Sequence, residues 1–281
     1  MSESTTFPQC CSSAAFKLLS KQVESLDSPD ALLNGAVAIS MHQMEKVDVV
    51  TVDAQLQKLA DTVRQRVRGP HVQALLAHLH DVLFEEEDFA GNTQDYYNIT
   101  NSYLPAVLKS RRGLPITLSM IYKIVAERVG LRAWGVGLPG HFLVAVEEAP
   151  KKLLLVDPFA KGRILSVTEA HARVQEMFGE EVEWTDDMLR PASNRHWLTR
   201  ILQNLLHIFS THNRYSDVAA VLEMEMLLWP KQDHLQRDLA LVLARIGMSR
   251  PASQWLDAYL RKNPDDPQKT DLKQLLDVLS A

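Results

Sequence analysis

The stretch RRGLPITLSMIYKIVAERVGLRAWGVGLPGHFLVAVEEAPKKLLLVDP, residues 111–158, decides the fold. Pro115 suits the first position of a helix, where its missing N–H costs nothing. Leu118, Ile121, Tyr122, Val125 and Val129 then recur at helical spacing until Gly130 stops the helix. Leu114 and Ile116 add apolar surface at its start, which makes this helix central. Arg132–Leu138 and His141–Val146 read as strands around a Pro139–Gly140 turn, and Leu153–Val156 as a short strand covered on both faces. A hairpin loop over Glu147–Lys151, centred on Ala149, sets Leu143 opposite Leu155, Ala145 opposite Leu153 and His141 opposite Asp157. A carboxylate beside a histidine orients the ring and stabilises its cation, the supporting half of a nucleophilic triad. A helix followed by antiparallel strands indicates an α+β domain.

Upstream, the pattern is helical. Residues 13–26, the apolar run after Asp30, Val52–Val67 and His71–Glu86 each carry apolar residues at helical spacing. The acidic run Glu85–Asp88 reads as a solvated face, since no ligand spacing accompanies it. The loop FAGNTQDYYNITNSYLPAVL (89–108) mixes turn residues with Phe89, Tyr96, Tyr97 and Tyr103, and Asn101 or Ser102 would cap a short helix over Tyr103–Lys109. Arg111 and Arg112 precede the central helix. There they can hold an anionic group at its positive end or pair with the acidic run, and pairing is the simpler reading.

Composition narrows the class. The chain has 281 residues, 46% hydrophobic and 23% charged, and a formal charge of −5. These values fit a globular protein and recommend neither nucleic acid nor an anionic membrane as partner. No apolar run approaches the ~20 residues of a membrane helix, and the N-terminus lacks the pattern of a secretory signal, so a cytoplasmic protein is expected. The two cysteines, Cys10 and Cys11, are adjacent and cannot staple distant segments. One histidine and one aspartate fall short of a metal site, and no cofactor is expected.

After Arg163 the chain returns to helix over 167–178 and 184–190. From Asn194 a repeat emerges, with Pro230 and Pro264 separated by 34 residues, the tetratricopeptide period. At the same offset Ala219 matches Ser253, Leu222 matches Leu256 and Met226 matches Leu260. Five helices are expected, at about 195–211, 215–228, 232–246, 250–262 and 267–280.

Together these motifs resemble the SirB family, a branch of the transglutaminase-like superfamily. The matching residues are Phe89, Gly91 and Asn92; Asn101, Ser102, Tyr103 and Leu104; Arg111, Gly113, Pro115 and Ile116. They continue with Gly135 and Val136; Pro139, Gly140, His141 and Phe142; and Asp157, Pro158 and Phe159. Thr117 departs from the more usual serine. The resemblance covers residues 30–170 well and implies a helical N-terminal subdomain, a papain/transglutaminase-like core of helix plus antiparallel sheet, and an all-α tetratricopeptide-like array. The implied boundaries are 1–30 for an N-terminal segment and first helix, 31–190 for the transglutaminase-like domain and 191–281 for the repeats.

In active relatives a cysteine at the start of the central helix attacks an acyl group, with histidine and aspartate on the following strands. The resemblance carries these positions onto Pro115, His141 and Asp157. Proline has no nucleophilic atom, so ordinary acyl transfer is not expected. Candidate substitute hydroxyls are Thr117 and Ser119 in the central helix and Ser102 in the preceding loop, with Ser119 foremost. Candidate binding residues are Asn101, Tyr103, Arg111, Arg112 and His141. Two readings follow: a non-catalytic module that binds a protein or peptide, or a cysteine-independent hydrolase or amidase using His141 and Asp157.

Overall fold

The computed structural model describes residues 8–69, 71–149, 152–178 and 184–280. Ser12 caps α1 (Ser13–Val23) by accepting from the Ala15 N–H at 3.3 Å, and α2 (Ala31–Ser40) is buried along most of its length. Asp48 caps α3 (Val49–Arg64) through the Thr51 N–H at 2.8 Å. The helix expected over His71–Glu86 is α4 (Val72–His80) running into a wider π-helical turn over Asp81–Glu86, so the acidic run sits on irregular backbone. Two short strands that the sequence reading missed, β1 (Ala90–Gly91) and β2 (Arg112–Gly113), pair in parallel around α5 (Leu104–Ser110).

Helix α6 (Pro115–Arg128) opens with Pro115 at its first position and closes on Gly130, whose φ is 97°. The Gly130 N–H donates to the Glu127 carbonyl and the Leu131 N–H to the Ala126 carbonyl, so the last carbonyls are satisfied in a Schellman arrangement. Residues 115–122 and 124–126 are all buried, which makes α6 the core helix of its unit. A four-stranded antiparallel sheet follows in sequence order: β3 (Ala133–Leu138), β4 (His141–Ala149), β5 (Lys152–Asp157) and β6 (Arg163–Leu165). Strand β6, just before the helix expected over 167–178, was not named from the sequence. The remaining helices are α7 (Val167–Phe178), α8 (Asn194–Thr211), α9 (Tyr215–Leu228), α10 (His234–Arg245), α11 (Ser249–Lys262) and α12 (Lys269–Ser280). The expected helix at 184–190 is a 3-10 turn, Asp186–Leu189.

The β4–β5 register differs from the expected one by two residues. Ala145 faces Leu155, and Glu147 faces Leu153, with an irregularity between Glu147 and Ala149. An even displacement keeps each side chain on its expected face. Pro150 and Lys151, part of the anticipated loop, lie outside the described residues.

Leu143, Ala145, Leu155 and Leu165 form one buried face of the sheet with Ala170 and Val174 of α7. Alternation along β4 sends Phe142, Val144 and Val146 to the other face. There the Phe142 ring meets Trp197, whose indole N–H donates to the Ile116 carbonyl of α6. Gly135 permits this: a Cβ there would lie 2.1 Å from the Trp197 ring.

The chain divides into two units, Met1–Glu45 with Leu202–Ala281, and Lys46–Ile201. These differ from the boundaries at 30/31 and 190/191 expected from sequence. The reason is local: residues 31–45 form α2 and the turn after it, and α2 packs on α1, which packs on α9. In that same unit, Ala240, Leu256, Tyr259, Leu260 and Leu272 make a shared core for α10, α11 and α12.

Candidate functional site

Asp157 ends β5 with its side chain wholly buried. Its Oδ1 accepts from the Phe159 and Ala160 N–H groups at 3.0 and 3.2 Å, capping the short 3-10 turn Pro158–Ala160. Its Oδ2 meets His141 Nε2 at 3.0 Å and also accepts from Arg173 Nη1 on α7. Four donors thus converge on one carboxylate. Burial pushes its pKa upward, but the His141 hydrogen bond, the charges of His141 and Arg173 and the Ala160 N–H outweigh it, so the carboxyl sits below the usual value.

His141 opens β4 on the face covered by α7, where the two-residue displacement of register makes its contact with Asp157 diagonal across the strands. Only 11% of its side chain is exposed. Its ring stands edge-on to Phe159 at 6.1 Å, and its carbonyl accepts from Arg200 Nη2 at 3.3 Å. A cleft of about 400 Å³ opens here, lined by Thr93, His141, Phe159, Ala160, Arg173 and Glu176. Gly91 lets the backbone approach its wall, since a Cβ there would lie 2.5 Å from the Phe159 ring.

Among the described residues that line this cleft, none comes from α6. Pro115 is buried at the first turn of α6, and the Ser119 hydroxyl donates to the Phe142 carbonyl at 3.1 Å. The hydroxyl is held on the strand backbone instead of at the His141 imidazole. Thr117 is buried, and its Oγ1 has no hydrogen-bond partner among the described residues. The two cysteines belong to the other unit. Burial and then the neighbouring Glu223 carboxylate push Cys10 to about 11 and Cys11 to about 12, the opposite of an activated thiol.

The other candidate residues build the frame. Asn101 Nδ2 donates to the Asp95 and Tyr96 carbonyls at 2.7 and 3.0 Å, its Oδ1 accepts from Asn92 at 3.0 Å, and its carbonyl accepts from the Leu114 N–H. It therefore ties the 92–101 loop to the entrance of α6. Tyr103 is buried at the start of α5. Arg111 pairs with Glu87 and covers the Phe89 ring at 4.7 Å, while Arg112 and Lys161 both hold Asp88, at 2.6 and 2.7 Å. Those two cations, Lys161 first, bring the Asp88 carboxyl down to about 2. The basic pair thus serves the acidic run.

Sequence reasoning missed Arg173 and Arg200. Arg173 stands beside Val174 on the apolar stripe of α7, and that position was the available signal.

A family model described as transglutaminase-like superfamily matches residues 50–203. A UPF0162 protein of Xylella fastidiosa strain 9a5c is 33% identical over 239 residues, covering 83% of this chain and 84% of that protein. Human F-box only protein 21 is 25% identical over 255 residues, covering 78% of this chain and 40% of its own length. No solved structure gives a significant match. No helix among the described residues is long and apolar enough to cross a membrane. With a buried helix, an antiparallel sheet and a histidine–aspartate pair joining two of its strands, the chain belongs to the transglutaminase-like superfamily, among the UPF0162 proteins.

Proposed function

We propose that the protein is a non-catalytic transglutaminase-like module that binds a protein or peptide segment. The observation carrying this reading is Pro115 at the first turn of α6, where active relatives place their cysteine, with both cysteines of the chain elsewhere and buried or half-buried. In this reading His141, Asp157 and Arg173 hold the end of β5 and the wall of the cleft. A buried carboxylate with four donors stabilises that corner, and an unpaired one would not persist there. The cleft itself, with a histidine, an arginine and a phenylalanine ring on its walls, offers an apolar contact, the guanidinium N–H groups of Arg173 and the second ring nitrogen of His141 to a bound chain.

Placement in the SirB family with a tetratricopeptide-like array is part of the same proposal. Pro230 and Pro264 follow α9 and α11, and the matched Leu222 and Leu256 are 3% and 0% exposed. A cytoplasmic location, without nucleic-acid or membrane partners, is the setting we assign it.

One observation favours the alternative, a cysteine-independent hydrolase or amidase: His141, hydrogen-bonded to the buried Asp157, lines a cleft open to solvent. Turnover assays separate the two. The wild type, His141→Ala and iodoacetamide-treated protein are given an acyl ester and a glutamine-containing peptide with an amine acceptor. All three should match the buffer rate. Hydrolysis that His141→Ala abolishes and iodoacetamide spares makes the protein an enzyme.

A further inference from the structure

A second cavity lies away from His141, in the unit of residues 46–201. A groove of about 430 Å³ runs between the start of α3 and helix α5. Its apolar wall is formed by the half-buried Val47 and Pro105, backed by the buried Val52, Leu59 and Leu108. Its rim carries Lys46, Lys58 and Lys109, each exposed. Their ammonium groups make no ion pair among the described residues. Of the other charges on its lining, Arg111 pairs with Glu87, and Asp48 caps α3 through the Thr51 N–H and hydroxyl while keeping its negative charge. The lysines outnumber that one remaining carboxylate, so the rim carries a net positive charge in a chain whose net charge is −5.

We propose that this groove binds an acidic peptide segment in which carboxylates alternate with leucine or phenylalanine side chains. Charge complementarity selects the anion, and the apolar wall selects the side chains between the acids. A free inorganic anion would leave the half-buried Val47 and Pro105 wall without a contact. A long polyanion would meet repulsion from the net negative charge outside the groove. The volume falls in the range of ligand pockets, about 300–1,000 Å³, room for a few residues of a chain that enters and leaves through the exposed rim. The groove shares no lining residue with the His141 cleft, so it stands whether or not the cleft reading holds.

Fluorescence anisotropy tests it on the full chain with a fluorescein-labelled decapeptide alternating glutamate with leucine. Binding in the range of about 10 μM is expected, weakening as salt rises from about 0.05 to 0.5 M. The glutamine-for-glutamate peptide should bind at least about tenfold more weakly. The combined substitution Lys46→Glu, Lys58→Glu and Lys109→Glu should do the same, while Lys273→Glu, at an exposed position in the other unit, changes nothing. Circular dichroism checks the fold of the triple variant, and Lys58→Gln alone should weaken binding measurably. Equal affinity for the two peptides, full affinity in the triple variant, or no binding to the wild type overturns the proposal. So does loss of binding in His141→Ala, which would place the peptide in the cleft. Competition by about 10 mM phosphate without any contribution from leucine would reduce the groove to a simple anion site and also overturn it.

Discussion

Each unit buries a carboxylate, and the two are treated in opposite ways. Asp157 is fully covered and receives His141, Arg173 and two backbone N–H groups. Glu225 on α9 is 5% exposed, and its Oε1 has no hydrogen-bond partner among the described residues. Burial, then the negative charge of Asp238, raise Glu225 to about 7, whereas Asp157 stays below the ordinary carboxylate value. Between these two acids the difference lies in the partners, since both are deeply covered. Of the two, Asp157 organises its neighbours: it joins β4, β5, α7 and the 158–160 turn.

The largest expected effect is at that junction. Asp157→Ala leaves Arg173 and His141 without their carboxylate and uncaps the 3-10 turn, which should cost about 3–5 kcal/mol in urea unfolding. Glu225→Ala should cost far less at pH 8, where it removes an unpartnered charge. Equal losses would break the comparison.

The pH dependence comes next, and its two halves have opposite sign. Asp157 binds its proton less tightly folded than unfolded, so its contribution is present above an unfolded value of 3.8 and is lost as pH falls through the folded value. Glu225 binds its proton more tightly folded, so stability declines as pH rises from 4.5 through about 7. That decline amounts to at most about 3 kcal/mol. Glu225→Gln should therefore stabilise at pH 8 and be neutral at pH 4. A variant equally stable relative to wild type at both pH values would contradict the assignment.

Packing around the site separates the units further. Gly135→Ala drives a Cβ into the Trp197 ring and should cost about 1–3 kcal/mol by overpacking. Gly247→Ala in the other unit meets nothing within 4 Å and loses only the ease of its φ of 80°, of order 1 kcal/mol. The smallest effect belongs to the surface. Arg112→Ala breaks a pair whose side chains are 39% and 52% exposed, so the smallest shift of the urea midpoint is expected, and 1 M salt should erase it.

Much of this was legible in the sequence because its determinants are local. Pro115 and Gly130 bracket α6, the apolar runs mark β4 and β5, and the Pro139–Gly140 turn fixes β3 against β4. The His141–Asp157 contact was also legible, since an even error in register preserves the face. What escaped depended on distant partners. Strand β6 is three residues long and exists because β5 offers an edge. Arg173 has no motif with Asp157, 16 residues earlier, and meets it only once α7 folds over the sheet. The pairing of the N-terminal helices with the C-terminal ones rests on Glu223, which accepts N–H groups from Gln9, Cys10 and Cys11. Glutamates inside the apolar run VLEMEMLL were the sign that a buried partner was waiting.

The central claim is that the α6 position holds no nucleophile, so His141 and Asp157 serve structure and binding. Its most direct test is acid-quenched adduct mapping by mass spectrometry after incubation with an acyl ester and with a glutamine peptide. The wild type should carry no acyl group on residues 115–119, and His141→Ala should give the same map. An adduct on Thr117 or Ser119 that disappears in His141→Ala would contradict the account.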